Sequence, residues 1–425
     1  KDDLLTVAYS ETLTIDYLKS QPFLVLDTKF FSQEFKDKLL AEFDDLDEQT
    51  DGLMINSENF QALGIIQEKE GAQIDNIYID PPYNTSEETF VYKNLFKHSS
   101  WLTMIANKIG LSGVLNEKGI LTFAIDDEQL YEVKSVLDQY FHKDNFIGNV
   151  VVETNPRGRG INSFFATSHD YLLFYSKNHN EANIIDQPLS EGQVAIYKYE
   201  DNISTYRKLP FRRSGGLSTP SDRPNSEFSF VYDNEIKKII AVGGKRLFDV
   251  PNEYSAENYI SLIDGEFVTI NKEVFEEEIK NKNHSIILPI DSDGNRRVWR
   301  WSAREKILEN IAKGEFIVNK EVNNIQLKDR IKEGRKPKTV WYDAKYDASS
   351  HGTNLLADIL GDKRFGYPKS IYNVKDSLHS VIGKNTRGKV LDYFAGSGTT
   401  GHAIIKLNRE DNGNRKYILV EMGEY

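Results

Sequence analysis

Residues 74–85 read IDNIYIDPPYNT. Ile77, Tyr78 and Ile79 form a short apolar run of strand character. The run ends on a carboxylate, two prolines and an aromatic: Asp80, Pro81, Pro82 and Tyr83. Proline fixes φ near −65° and restricts the residue before it. The strand therefore runs into a stiff turn that presents an acid and an aromatic ring at its end.

Outward from this turn, two kinds of segment alternate. KGILTFAID (118–126), NVVVETN (149–155) and HDYLLFYS (169–176) read as further strands. SSWLTMIANKIGLSGVL (99–115) and DEQLYEVKSVLDQYF (127–141) have helical spacing. The amphipathic, acidic run SQEFKDKLLAEFDDLDEQ (32–49) reads as helix. From about residue 181 to 345 the rhythm breaks into an irregular region rich in Asn, Gly, Arg and aromatics, with short strands such as EFVTI and SIILPI. It then resumes with SLHSVIG as helix, KVLDYF as strand, GTTGHAIIKLN as helix and KYILVEM as strand. The expected organisation is an N-terminal helical segment (1–50), a first α/β part (51–180), an inserted α+β domain (181–345) and a second α/β part (346–425).

The second telling stretch is VLDYFAGSGTTGHAI (390–404). A strand ends at Asp392, a glycine-rich turn carries Gly396 and Gly398, and a helix starts near Thr399. Glycine lets a ligand touch backbone, and a helix N-terminus offers free N–H groups. Gly396, Gly398 and Gly401 spell G-x-G-x-x-G, a dinucleotide fingerprint. Glu421 ends the next strand, where an acid can hold ribose hydroxyls. An NAD-dependent oxidoreductase is one reading of these glycines. Little chain follows them to build a second nucleotide-binding half, however, and hydride transfer has no use for Asp80-Pro81-Pro82-Tyr83.

Composition sets outer bounds. The chain has 425 residues, net charge −12 and no cysteine, which excludes disulfides and thiolate metal sites. No apolar run reaches membrane-spanning length, and the first residues lack the apolar core of a signal peptide, so a cytoplasmic protein is expected. The charge is uneven. Residues 201–345 carry 26 Lys and Arg against 23 Asp and Glu, a local +3, which leaves −15 for the remainder. Basic clusters in and beside the middle region nominate DNA contacts: Arg157 and Arg159, Arg212 and Arg213, Arg223, Arg296, Arg297 and Arg300, and Lys336. DSDGN (291–295) begins like a calcium loop, but Arg296 and Ser302 stand where Gly and Glu are needed, so no metal is expected.

DPPYNT followed much later by DYFAGSGTT resembles the S-adenosylmethionine-dependent methyltransferases that act on adenine N6 in DNA. The order, catalytic motif first and cofactor motif last, resembles their β class. The segments NIYIDPPYNTSEETFVYKNLFKHSSWLTMI, SDRPNSEF, VWRWSAREKI, GRKPKTVWYD and FGYPKSIYNVKDSL are similar to modification subunits of type III restriction–modification systems. The resemblance implies a Rossmann-like, mostly parallel sheet with helices on both faces and an inserted target-recognition domain. It implies that Asp80 and the Pro81 carbonyl accept the two N–H groups of a flipped adenine, with Tyr83 stacking on the base and Pro82 stiffening the turn. It assigns Asp392, Phe394, Ala395, Gly396, Ser397, Gly398, Thr399, Thr400 and Glu421 to the cofactor, and Lys369 and Ser370 to its methionine carboxylate. It implies double-stranded DNA as substrate, a homodimer, and a helicase–nuclease partner. An N4-cytosine enzyme would share the fold, but Asp80 in place of serine disfavours it. The chain stops four residues after Glu421, where the family continues through another strand, so truncation and an open sheet edge are expected.

Overall fold

The computed structural model describes residues 14–20, 28–84, 98–160, 164–243, 258–263, 266–271, 283–319 and 324–423. The chain divides into two compact units, one of residues 1–187 with 334–425 and one of residues 188–333.

The first unit is built on an eight-stranded sheet. Its strands in chain order are β1 (Gly52–Asn56), β2 (Ile74–Ile79), β3 (Leu115–Ile125), β4 (Phe146–Glu153), β5 (His169–Ser176), β6 (Val340–Trp341), β7 (Lys389–Asp392) and β8 (Lys416–Glu421). Their order across the sheet is β1-β8-β7-β2-β3-β5-β4-β6. All neighbouring pairs are parallel except those of β5, which runs against β3 and β4. This is the mostly parallel, Rossmann-like sheet.

Strand alternation assigns side chains to two faces. Ile77, Ile79, Leu391, Ile418 and Val420 face one core, which is covered by α1 (Asn59–Glu70), α2 (His98–Gly110) and α3 (Leu130–Phe141). Tyr78, Ile120, Ala124, Leu172 and Val390 face the other, covered by α4 (Ile371–Ile382) and α5 (Thr399–Asp411). Helices thus cover both faces, as parallel sheets require. The α5–β8 contact depends on Gly401, where a Cβ would lie 3.0 Å from Leu419 Cδ1 and 3.4 Å from the Tyr417 ring.

Two differences from the sequence reading concern the sheet margins. β8 is not an edge, because β1 pairs with it in parallel from Gly52↔Tyr417 to Asn56↔Glu421. The GLMIN run of β1 carries no buried residue, so no apolar pattern marked it. Val340 and Trp341, read as part of the insert, pair with Val151 and Val152 of β4 and belong to the main sheet.

The second unit holds two antiparallel sheets and the helix Arg304–Ala312. Its core is aromatic: Phe211, Phe228, Phe230 and Trp299 are fully buried, and Trp301 and Phe316 pack against them. The run NRRVWRW, read as basic residues interleaved with aromatics for nucleic acid, supplies Val298 and Trp299 to this core. The Trp299 indole N–H donates to the Phe228 carbonyl at 2.7 Å. Its arginines bind their own unit. Arg296 forks onto the buried Glu227 at 2.8 and 2.7 Å. Arg297 donates to Asp291 at 2.7 Å, and Arg300 to the Pro210 carbonyl at 2.6 Å.

Arg296→Ala is expected to leave the Glu227 carboxylate buried without its fork, a loss of about 1–3 kcal/mol. Urea unfolding measures it, and an unchanged midpoint would show that the fork does not hold the unit together.

Candidate active site

The pairing of β2 with β7 positions the site. Val390↔Asn76 and Leu391↔Ile77 are in parallel register, so both strands end at one edge of the sheet, β2 at Ile79 and β7 at Asp392. Their helical crossovers leave in opposite directions, β2 toward β3 and β7 toward β8. Ligands of open α/β sheets bind at such a switch point. Both sequence motifs begin there.

The Asp80–Tyr83 turn is fixed from below and above. The Trp101 indole N–H donates to the Pro82 carbonyl at 2.8 Å, and the Tyr83 ring packs against the first core. Lys369 lies across the turn. Its ammonium is 3.3 Å from Asp80 Oδ1, donates to the Tyr83 hydroxyl, and sits 4.4 Å above the Tyr83 ring centre. It also donates to Asp170 Oδ2 at 3.0 Å. Asp170 lies near the start of β5 and is buried, with Arg159 3.7 Å from its Oδ1. Asp126, just after β3, completes a row of three acids on neighbouring strands. Burial pushes Asp126 up to about 7 and raises Asp80 as well, the latter opposed by Lys369. Lys369 is itself buried, yet Asp170 and Asp80 raise it and keep it charged.

The glycine-rich turn follows β7. Asp392 Oδ1 accepts the Phe394 N–H at 2.9 Å, and Oδ2 accepts the Thr400 hydroxyl at 2.6 Å. Burial still pushes Asp392 up to about 7, with Asp80 and Glu421 adding to the rise. Glu421 Oε2 accepts the Gly396 N–H at 2.7 Å, and its Oε1 accepts the N–H groups of Met422 and Gly423 at 2.9 Å. Gly396 and Gly398 have φ of +50° and +77°, a region that disfavours a side chain. Gly398 opens α5, and a Cβ on it would meet no atom within 4 Å, so the space before the helix is clear. Ser397 and Thr399 line a groove there with Pro368, Lys369 and His402.

The structure thus gathers Asp80, Tyr83, Lys369, Asp392, Ser397, Thr399 and Glu421 at one sheet edge. Lys369 touches the acidic turn and lines the groove at the glycine turn. Ser370 stands apart from the groove: it is buried and caps α4, accepting from the Tyr372 N–H at 3.3 Å and donating to the Lys345 carbonyl at 2.6 Å. Sequence reasoning missed five residues, Asp126 at the end of its strand among them. Asp170 was hidden inside an apolar strand. Glu58, Asn59 and Lys108 come from elements without a motif. Asn59 donates to the Tyr393 carbonyl at 3.1 Å, and Lys108 pairs with Glu58 at 2.8 Å while its ammonium lies 5.6 Å from the Phe394 ring centre.

The DNA candidates scatter. Arg157 and Lys336 are exposed on the first unit, and Arg159 faces Asp170. In the second unit Arg212 donates to the Ile290 carbonyl and Arg213 to the Gly216 carbonyl at 3.5 Å, while Arg223 is half-buried. Asp291, the first residue of the calcium-like run, is taken by Arg297 and the turn backbone.

A carboxyl raised in the folded state holds a proton that the unfolded chain releases, so Asp392 costs stability as pH rises from about 4 to about 7. Asp392→Asn is expected to make the fall in stability between pH 5 and pH 8 shallower than in the parent protein, as read by urea unfolding. Equal falls would contradict the raised value.

Comparison with known proteins agrees with this geometry. Type II methyltransferase M.KpnI of Klebsiella pneumoniae is 30% identical over 401 residues, covering 91% of this chain and 84% of that protein. The Mod subunit of the type III restriction-modification enzyme EcoPI from Escherichia phage P1 is 26% identical over 408 residues, 88% of this chain and 57% of that subunit. The StyLTI Mod subunit of Salmonella typhimurium is 24% identical over 403 residues, 86% of this chain and 52% of its own length. The chain therefore spans a little over half the length of these Mod subunits. Residues 74–425, which hold both motifs and the sheet edge between them, match the DNA methylase model, and the chain belongs to that family.

Proposed function

We propose that this chain transfers a methyl group from S-adenosylmethionine to N6 of an adenine in double-stranded DNA. The supporting observation is the shared strand edge: Asp80 and the Gly396–Gly398 turn follow adjacent parallel strands, and Lys369 reaches from one to the other. The glycine turn fits the cofactor. It leaves clear space at Gly398, a helix N-terminus behind it, and the acids Asp392 and Glu421 beside it.

S-adenosylmethionine supplies a methyl group on a sulfonium. An exocyclic adenine amine is a weak nucleophile because its lone pair is delocalised into the ring. Asp80, accepting one N–H, draws the nitrogen toward tetrahedral geometry, and the Pro81 carbonyl accepts the other. The N6 lone pair forms the new N–C bond, the C–S pair stays with sulfur, and the surplus N6 proton leaves by way of Asp80. Pro81 and Pro82 hold these acceptors in place before the base arrives, which lowers reorganisation during the reaction. N6 is paired inside a duplex, so the base must leave the stack, and Tyr83, beside Asp80, is the ring assigned to receive it.

The relatives named Mod subunits of type III restriction-modification enzymes support a modification role beside a restriction subunit, and a homodimer belongs to the same proposal. M.KpnI, of which the chain covers 84%, supports a type II methyltransferase role, and in length it is the better match. The residue 188–333 unit is assigned to target recognition.

Incubation with labelled S-adenosylmethionine and mixed genomic DNA, followed by nucleoside analysis, is expected to yield N6-methyladenine. N4-methylcytosine or no label would overturn the assignment. Asp80→Ala is expected to lower turnover by at least about a hundredfold while calorimetric cofactor affinity holds; retained turnover would remove Asp80 from the chemistry.

A further inference from the structure

Lys369 presents an electrostatic problem that the proposed reaction must solve. The methylated nitrogen gains positive charge in the transition state. An ammonium 3.3 Å from the accepting carboxylate opposes that charge and competes with the amine for the acceptor. Unpaired, Asp80 would be hard to keep ionised at a half-closed sheet edge. The site needs a cation close enough to hold Asp80 charged, yet drawn away from it.

We propose that Asp170 is a positioning residue that draws the Lys369 ammonium off Asp80, leaving Asp80 ionised and open to the target amine. The inference rests on the adenine-methyltransferase reading above. Three observations carry it. The ammonium is closer to Asp170, at 3.0 Å with a hydrogen bond, than to Asp80 at 3.3 Å. Asp170 is buried, only 4% exposed, on a central strand of the sheet, so its carboxylate cannot swing away. Two carboxylates, those of Asp80 and Asp170, share one buried ammonium. Arg159, at 3.7 Å on the far oxygen of Asp170, is partly exposed and balances that acid from the solvent side. The other groups around Asp80 are Tyr78 on β2, Tyr83 in its own turn, Asp126 after β3 and Asp392 after β7. Lys369 is the cation among them. The sequence reading gave Lys369 to the methionine carboxylate of the cofactor; in this structure its ammonium is engaged by Asp170 and Asp80.

The test is a charge-removal cycle on the full chain with S-adenosylmethionine and DNA. Asp170→Asn lets Lys369 neutralise Asp80, and kcat is expected to fall about ten- to a hundredfold with cofactor affinity unchanged by calorimetry. Adding Lys369→Met to that variant removes the intruding cation and is expected to restore most of the lost kcat when both are compared on the alkaline plateau, above the shifted acid limb. Lys369→Met alone deprives Asp80 of its counter-ion, and the acid limb of kcat/KM is expected to move to higher pH. A double variant as slow as Asp170→Asn would make Asp170 a purely structural acid and overturn the proposal. So would a Lys369→Met variant with weakened cofactor binding and an unmoved acid limb, which would return Lys369 to the cofactor. If Asp170→Asn fails to fold, the acid limb of Lys369→Met decides alone. A parent protein that labels no adenine would instead sink the functional reading beneath the proposal.

Discussion

The parallel pairing of β2 with β7 is the constraint on which the site depends. It joins pieces of chain 314 residues apart, and it is secured at its far end by one side chain. Asp75, at the start of β2, accepts the Lys389 N–H at 2.8 Å, the Asn385 amide at 3.2 Å and the Asn116 amide at 3.0 Å. These bonds fix where β7 begins relative to β2. Side-chain direction alternates along a strand, so a slip of one residue would turn Leu391 and Asp392 to the wrong faces. The two turns at the opposite end would then no longer open on a common edge.

That edge concentrates buried acid. Asp80, Asp126, Asp170 and Asp392 follow or begin neighbouring strands, and burial raises three of them, Asp80, Asp126 and Asp392. Two kinds of compensation are visible. Around Asp392 it is hydrogen bonding, from Thr400 and the Phe394 backbone, which suits a group that shapes a loop. Around Asp80 and Asp170 it is one buried ammonium shared between the two acids, and it lies where a substrate amine is expected.

Much of this was legible in the sequence, for a physical reason. Buried parallel strands read as apolar runs, and the residues that end them must be special if a ligand binds there. Asp80-Pro81-Pro82-Tyr83 and Gly396-Ser397-Gly398 therefore stand out without coordinates. β1 did not, because GLMIN covers a sheet edge with half-exposed side chains and shows no period. Lys369 was assigned to the cofactor because YPKS lies just upstream of the glycine motif in sequence. The fold sets it beside the groove at the glycine turn and also brings its ammonium to the other motif. Asp170 lay in HDYLLFYS, where a strand pattern drew attention to the apolar residues around it. In NRRVWRW, arginine beside tryptophan suggested nucleic acid, but Trp299 fills a core and Arg296 anchors a buried acid. Interleaved aromatics distinguish a binding surface from a small domain's interior only when burial is known.

The placement of β7 and β8 between β1 and β2 has a consequence for how the protein is made. At about 5–20 residues per second on the ribosome, roughly 15–60 s separate the emergence of β2 from that of its neighbour β7. Throughout that interval the nascent chain carries β1 and β2 with a gap between them, and the hydrogen-bonding edge of β2 is bare. Residues 188–333, a compact unit of their own, emerge within that interval. Sheet completion then waits for the last strand pair, and the edge that gathers both motifs comes into being only at that step.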